Sequence, residues 1–559
     1  MYKAIPLTMD ASESAENCGK RKLPSANIAL AVFSSGIGGT FQCGYNLSII
    51  NAPTRDVQAF INETWFVRTG TNLDSSLLKL LWSIIVSIFT LGGLLGACLG
   101  GHLAIKFGRK RTLLIINIFI LAGSTLMGAS KLAGIFELLI VGRFLVGLHS
   151  GVSLCVQPLY LGEIAPKAWR GAIVMGISIF LTLGILIGQV IGQRELLGRE
   201  QYWHILLSTT CVPALLQLLL LPWCPESPRY LLIDKGLEAK ALQSLRQLHG
   251  AHSYLSELED IEKERVVIQL QRSKGLWELL TNRLTRWQLI TVIMVNIGQQ
   301  LSGINAIYFY ATYIFEKAGI GQAYIPYVTM GTGACECFSA LCCELSYHHR
   351  AHLHEALPQE SSIYNRGPQS ARPCSLAATT EQEPQVPHQQ GLLIECLGRR
   401  ALILGGYSLM TLCCMLITIT LTYQASYFWV PYMTMVFLFA FILSFGLGPG
   451  GVTNMVTGEL FTQTARPAAY MASGVMNWLS FFLISITFPF IVESMQHFCF
   501  LVFLVECLLV TLFIYIVLPE TKNKSFVEIE QEFRTRNFRG VLTTITADGT
   551  LRDMRMSTF

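Results

Sequence analysis

Gly108-Arg109-Lys110-Arg111, a basic run opened by glycine between two apolar stretches, recurs later in the chain as Gly398-Arg399-Arg400. Two further pairs keep the same order: Gly162-Glu163 with Arg170 is answered by Gly458-Glu459 with Arg466, and Pro225-Glu226 by Pro519-Glu520-Thr521-Lys522. Members of each pair lie roughly 290 to 296 residues apart, and Glu163 to Arg170 is the same step as Glu459 to Arg466. Ordered recurrence at one offset marks a duplicated module. Duplicated halves set between apolar stretches imply membrane transport.

Composition agrees. The chain has 559 residues, 52% of them hydrophobic and 14% charged, with too few charges to cover a soluble globule of that size. Twelve apolar stretches are long enough to cross about 30 Å of hydrocarbon as helices. They lie near 28–50, 80–102, 113–131, 135–156, 171–192, 205–223, 288–312, 326–343, 401–421, 428–450, 468–492 and 497–518. The expected fold is an all-α membrane protein of two pseudo-symmetric six-helix bundles. Residues 28–223 form the first bundle and 287–518 the second; 1–27 and 519–559 are tails, and 224–286 is a linker.

The first apolar stretch follows Lys3, Lys20, Arg21 and Lys22 without a small-residue cleavage site, so it reads as a span and not a leader. Lys106, Arg109, Lys110 and Arg111 follow the second span, Lys167 and Arg170 the fourth, and Arg399 and Arg400 the eighth. The positive-inside rule then puts both termini in the cytosol, most naturally at the plasma membrane. Asn62-Glu63-Thr64, in the loop after the first span, becomes a glycosylation acceptor on the outside. The net charge of +5 comes largely from the cytosolic loops and calls for no nucleic-acid partner. Sixteen cysteines, mostly inside apolar helices and without zinc spacing, indicate neither a disulfide framework nor a metal site.

In the linker, Leu242, Leu245 and Leu248, then Leu255, Leu258 and Ile261, recur at helical spacing and predict short amphipathic helices; a solvated linker is the alternative. One segment contradicts its surroundings. Residues 344–390 carry Pro358, Pro368, Pro373, Pro384 and Pro387 among His348, His349, His352, His354 and His388, a polar and disordered insertion unsuited to hydrocarbon. Its histidines lack a clean metal-ligand pattern. The eighth span, about 325–343, rises roughly 28 Å before the interruption, which therefore falls near the end of that helix. Two readings stand: a tolerated cytosolic loop, or an insertion that detaches the anchor from Glu395 to Arg400.

The seventh span contains Gly298-Gln299-Gln300-Leu301-Ser302-Gly303-Ile304-Asn305, a concentration of amides in an apolar context. Gln299, Gln300 and Asn305 both donate and accept, which suits a neutral hydroxylated ligand, although amides also join neighbouring helices. Arg109, Arg143, Glu163 and Arg170 in one half, with Glu395, Arg399, Arg400, Glu459 and Arg466 in the other, read as a latch joining the bundles when the inside is closed, not as a substrate site. Uncoupled surface pairs are the alternative. Glu336 is the one acid found deep in a span, and it reads as a protonated, hydrogen-bonded side chain in preference to a proton carrier.

Taken with Gly44-Tyr45-Asn46, Asn51-Ala52-Pro53, Gly142-Arg143-Phe144, Pro225-Glu226-Ser227-Pro228-Arg229 and Arg466-Pro467-Ala468-Ala469, these strings resemble the facilitative hexose transporters, in the sugar-porter branch of the major facilitator superfamily. The resemblance runs from about Ile28 to Phe526 apart from the insertion. It implies a central hexose site that opens alternately to each side, with Gln299, Gln300 and Asn305 on sugar hydroxyls, Trp478 stacking on or closing over the ring, and Phe309 and Tyr310 as a gate. Ser178, Glu336 and Asn454 stand where glucose-selective members carry glutamine, asparagine and tryptophan, and Asn296-Ile297-Gly298 replaces their Gln-Leu-Ser. These departures resemble the fructose-capable class II branch. Proton-coupled relatives carry aspartate at the position of Asn46, so asparagine there favours a uniporter.

The function expected is passive movement of fructose, glucose or both, with no cofactor and no covalent chemistry. A carrier of urate or another polar solute, and a sugar sensor or inactive isoform disabled by the insertion, are the alternatives. An enzyme would need a nucleophile, a metal or a paired acid and base facing one cavity, and the chain offers none. The sequence leaves the oligomeric state open.

Overall fold

The computed structural model describes residues 25–166, 169–249, 254–270, 276–353, 398–424, 426–461, 465–521, 524, 528–529 and 531–533. Every regular element among them is a helix. In chain order these are α1 (26–48), α2 (Thr54–Thr69), α3 (Ser75–Phe107), α4 (Arg109–Ala133), α5 (Glu137–Ile164), α6 (Arg170–Ile191), α7 (Trp203–Trp223), α8 (Glu238–His249) and α9 (Tyr254–Leu270). There follow α10 (Leu276–Thr281), α11 (Thr285–Lys317), α12 (Ile325–Leu353), α13 (Arg399–Thr422), α14 (Val430–Leu460), α15 (Arg466–Met495) and α16 (Cys499–Val517). Each expected apolar stretch is helical over most of its length. Nine helices among the described residues are long and apolar enough to cross a membrane, namely α3, α4, α5, α7, α11, α13, α14, α15 and α16.

The long helices expose apolar side chains outward and keep small and polar ones inside, as expected of helices solvated by lipid. On α16, Val505, Leu508, Leu509 and Leu512 face outward, whereas Phe503, Cys507, Val510 and Ile514 are buried. Where α3 crosses α5, a Cβ at Gly147 would lie 2.0 Å from the Phe89 carbonyl oxygen, and one at Gly151 2.0 Å from that of Gly93. Only glycine allows this approach. In the first half α3 and α4 pack on α5, and α1 on α6; in the second α13 packs on α14 and α16, and α11 on α15. The halves meet where α3 lies against α15 and α6 against α12.

Two sequence expectations change. Asn62 lies on a helix, α2, where its side-chain oxygen accepts from the Leu73 N–H at 3.1 Å. The eighth apolar stretch runs beyond Cys343, since α12 continues to Leu353 and carries helix into the first ten residues of the insertion. At 1.5 Å per residue its 29 residues span about 43 Å, more than a bilayer core, so the extra turns project past it. Residues 354–390 lie outside the described set. In the linker, α8 and α9 form as expected: Leu245, Leu248 and Ile261 are buried, Ala241 completes the face that packs against Leu232, and Leu255 turns outward.

Candidate functional site

A cavity of about 200 Å³ sits between the halves, lined from α1, α5 and α6 on one side and α11, α12, α14 and α15 on the other. The backbone break that shapes it is in α11. Gly303 adopts φ +99°, a left-handed conformation that favours glycine, and separates Gln299 and Gln300 from the turn bearing Asn305 and Tyr308.

Three amides form a chain on this wall. Asn305 Nδ2 donates to Gln300 Oε1, and Gln300 Nε2 donates to Asn477 Oδ1 of α15. Gln299 lines the same cavity half-buried. Beside it in the same half, on α12, Glu336 is only 7% exposed, with its carboxyl next to the Tyr308 hydroxyl. Ser178 lines the cavity with Thr182, at an exposed position on α6.

Aromatic rings close one end. Trp478 stacks on Phe481 at 5.9 Å between centroids, Phe481 on Phe309 at 5.4 Å, and Tyr310 packs against Phe488 at 5.2 Å. Trp478 also reaches across to the first half, edge-on to Phe89 and directly against Gly93. Tyr310 leaves helical geometry (φ −128°, ψ 23°) and donates to the Ser485 carbonyl oxygen at 3.0 Å, so the two gate positions are tied down by a kink and a hydrogen bond.

The sequence matches the family profile described as Sugar (and other) transporter over residues 31–346 and 390–533. The chain belongs to this sugar transporter family. The unmatched stretch between the two segments is the insertion, less a few residues at either end. It is 44% identical over 519 residues to human solute carrier family 2, facilitated glucose transporter member 11, covering 93% of this chain and 95% of that one. Human member 9 is 42% identical, with 93% and 87% covered, and human member 5 is 40% identical, with 91% and 92% covered. Among solved structures, the proton:xylose symporter XylE bound to 6-bromo-6-deoxy-D-glucose superposes with a TM-score of 0.68 over 91% of this chain and 99% of that one, at 20% identity. A partially occluded inward-open conformation of the xylose transporter XylE from E. coli gives a TM-score of 0.67 over 90% and 100%, also at 20% identity. The fold is that of the major facilitator superfamily, and proteins of this sugar-porter type are transporters, not enzymes.

The repeated charges of this sugar transporter have a repeated structure. Gly108 (φ +99°) and Gly398 (φ +83°) open α4 and α13, and a Cβ on either would strike the carboxylate of Glu226 or Glu520, 2.6 and 2.5 Å away. Glu226 accepts from the N–H groups of Lys110 (2.9 Å) and Arg111 (3.3 Å), and Glu520 from those of Arg399 (2.8 Å) and Arg400 (3.1 Å). Each carboxylate thus caps the positive end of a helix. Beside each cap an ion pair forms: Arg109 with Glu163 at 2.9 Å and Arg399 with Glu459 at 3.2 Å. A hydroxyl donates to the same acid, Ser227 to Glu163 and Thr521 to Glu459 at 2.5 Å. Asp234 adds a second partner for Arg109.

These pairs tie helices within one half, in an arrangement whose halves are joined at the opposite end, whereas the expected latch concerns the state closed on the inside. Arg143 is elsewhere: buried on the second turn of α5, it donates to the Asn46 carbonyl oxygen at 2.9 Å and lies over the Phe89 ring at 4.7 Å. Arg400 donates to the Tyr515 carbonyl oxygen and Arg466 to that of Phe461. Glu395 and the side chains of Arg170 and Asn454 lie outside the described set.

The contacts that do join the halves were missed. They cluster at the opposite end: Arg55 with Glu316 at 2.9 Å, Lys79 with Glu493 at 2.5 Å, Asn51 to the Tyr308 carbonyl oxygen at 3.2 Å, and Gln193 to that of Pro326 at 3.0 Å. A second cavity, of about 430 Å³, lies there among Asn51, Arg55, Asp56 and Gln193. Burial, with Glu200 nearby, raises the Asp56 carboxyl above its ordinary range. Glu336 is also not alone, because Glu506 lies within α16 with a buried Oε2. A single acid in the middle of a highly apolar run was the signal for it.

Proposed function

We propose that this protein is a facilitative hexose transporter, a uniporter carrying fructose, glucose or both by alternating access. The carrying observation is the amide wall of Gln299, Gln300, Asn305 and Asn477 facing a cavity between two halves. At about 200 Å³ it is smaller than the roughly 300–1,000 Å³ typical of drug-sized ligands and suits one sugar ring. Amides that donate and accept match hydroxyls that do the same, and an aromatic face at Trp478 meets the ring. The named glucose transporters among the relatives support the same substrate class.

The protein is a two-bundle, twelve-span carrier with both termini in the cytosol of the plasma membrane, Asn62 outside and the Arg109 and Arg399 clamps inside. The contacts around Arg55, Lys79 and Asn51 then hold the outer side shut, and the bundles rock about the cavity between that arrangement and one in which they part. Phe309 and Tyr310 act as the outer gate.

Hexose is favoured over urate because, among the described residues, the lining offers an anion no Lys, Arg or His and presents it with the carboxyl of Glu336. Activity is favoured over a disabled isoform because, beyond the insertion, Gly398, Arg399 and Glu520 reproduce the helix cap of the first half. The test is uptake of labelled fructose and glucose by the full chain and by one lacking residues 344–390, normalised to surface protein. Transport by both supports the proposal; transport by the deletion alone assigns an inactive isoform, and by neither a different solute or a sensor.

A further inference from the structure

The basic run Lys20-Arg21-Lys22 stands three to five residues before Ser25, the residue that caps α1. In the structure the Ser25 hydroxyl serves two helices. Its Oγ accepts from the Ile28 N–H of α1 at 3.4 Å and donates to the Leu248 carbonyl oxygen of α8 at 2.6 Å. Asn27 Nδ2 donates to the neighbouring Gln247 carbonyl oxygen at 2.7 Å. Both carbonyls lie in the last turn of α8, where a helix leaves its acceptors open, so side chains of α1 close the end of α8. The docking continues inward. Ile28 and Leu248 are buried in one apolar cluster, and Ser244 of α8 donates to the Glu226 carbonyl oxygen at 2.5 Å.

A phosphoryl group at Ser25 acts on the two helices in opposite senses. It removes the donor to Leu248 and adds a charge of about −1.5 to −2. Negative charge is favourable at the start of α1 and unfavourable beside the carbonyl oxygens that end α8. Arg246, in that last turn, is turned to the Tyr254 ring, 5.2 Å from its centroid. Basic residues shortly before a hydroxyl are the charge pattern by which basophilic kinases choose substrates. Ser25 is half-buried at a helix end and held by a neutral hydrogen bond, so local opening exposes it.

We propose that Ser25 is a phosphorylation site for a cytosolic basophilic protein kinase, and that the phosphoryl group detaches α8 from α1 while α1 stays capped. The γ-phosphoryl group of ATP passes to Ser25 Oγ: a new P–O ester bond forms, the bond to the leaving ADP breaks, and the hydroxyl proton is released. The first helix of the linker between the two halves is then released from the first half. This inference rests on the membrane orientation given above and not on the solute carried.

The experiment uses purified full-length protein in detergent, incubated with MgATP and either protein kinase C or the catalytic subunit of cAMP-dependent protein kinase. Mass spectrometry locates the phosphate, and hydrogen exchange follows α1 and α8. The expected result is phosphate on Ser25 with either kinase, at least tenfold slower incorporation in Lys20→Ala with Arg21→Ala and Lys22→Ala, and at least tenfold faster amide exchange in α8 with α1 unchanged. No phosphate on Ser25 with either kinase overturns the proposal, as does incorporation unaffected by the triple variant. Phosphorylated protein whose α8 exchanges no faster overturns it too, because Arg246 or His249 has then captured the group. Sealed membrane vesicles test the orientation separately. Labelling of inside-out vesicles alone supports a cytosolic site; labelling of right-side-out vesicles alone refutes the orientation, and the kinase assignment with it, whatever the protein transports.

Discussion

Replacing Gln300 by alanine tests the amide chain most sharply. The change removes the hydrogen bond donated to Asn477 and the one accepted from Asn305, and it leaves both partners facing the cavity. Each side-chain hydrogen bond contributes about 1 kcal/mol net. Together they set the ordering of the wall at about 2 kcal/mol, or roughly a 30-fold loss of sugar affinity at about 1.4 kcal/mol per factor of ten. The assay is the KM of hexose uptake, with surface protein measured on the same cells. The account expects KM to rise by about ten- to thirty-fold while the surface amount stays within twofold. It also expects Gln300→Ala with Asn477→Ala to be little worse than Gln300→Ala alone, because the two act through one bond. Wild-type KM in Gln300→Ala refutes the reasoning. Loss of folded protein refutes it differently, by making the amides interhelical glue.

Other consequences are accessible. Gly398→Ala places a Cβ 2.5 Å from Glu520 at φ +83°, so it should lower the melting temperature and reduce monodisperse protein, whereas Gly405→Ala, which meets nothing within 4 Å, should not. Charge reversal at Arg55→Glu breaks an exposed pair worth about 0.2–1 kcal/mol, so labelling of a Thr312→Cys reporter from outside should rise by up to about fivefold and return in Arg55→Glu with Glu316→Arg. Asn62→Gln should abolish the mobility shift produced by glycosidase treatment; a shift that persists places the glycan elsewhere.

What sequence made legible was whatever repeats or persists locally. The doubled Gly-Arg and Pro-Glu signatures were visible because duplication preserved their offset, and the structure gives the reason in two carboxylate-capped helices. Spans were visible because lipid demands long apolar runs. The amides were visible as polar groups where polarity is costly. The partners were not, because they depend on chain segments brought together only by folding. Ser227 and Thr521 sit inside the repeated strings, yet nothing in those strings says that their hydroxyls serve Glu163 and Glu459. Arg143 shares its residue type with the clamp arginines, but the register of α5 buries it beside Asn46 instead. The pairs Arg55 with Glu316 and Lys79 with Glu493 link residues 261 and 414 positions apart, a separation over which no local pattern carries information. Likewise α12 outruns the expected end of its span because a helix needs only backbone continuity, while the apolar pattern stops where the bilayer does.

The central claim is that the protein equilibrates hexose and does not pump it. The decisive measurement is the time course of labelled fructose and glucose entry into liposomes containing the purified full-length chain, with and without an imposed proton gradient. The account predicts saturable entry that stops when inside and outside concentrations are equal, with an endpoint unchanged by the gradient. Accumulation above the external concentration that collapses with a proton ionophore, or entry no faster than in protein-free liposomes, would contradict it.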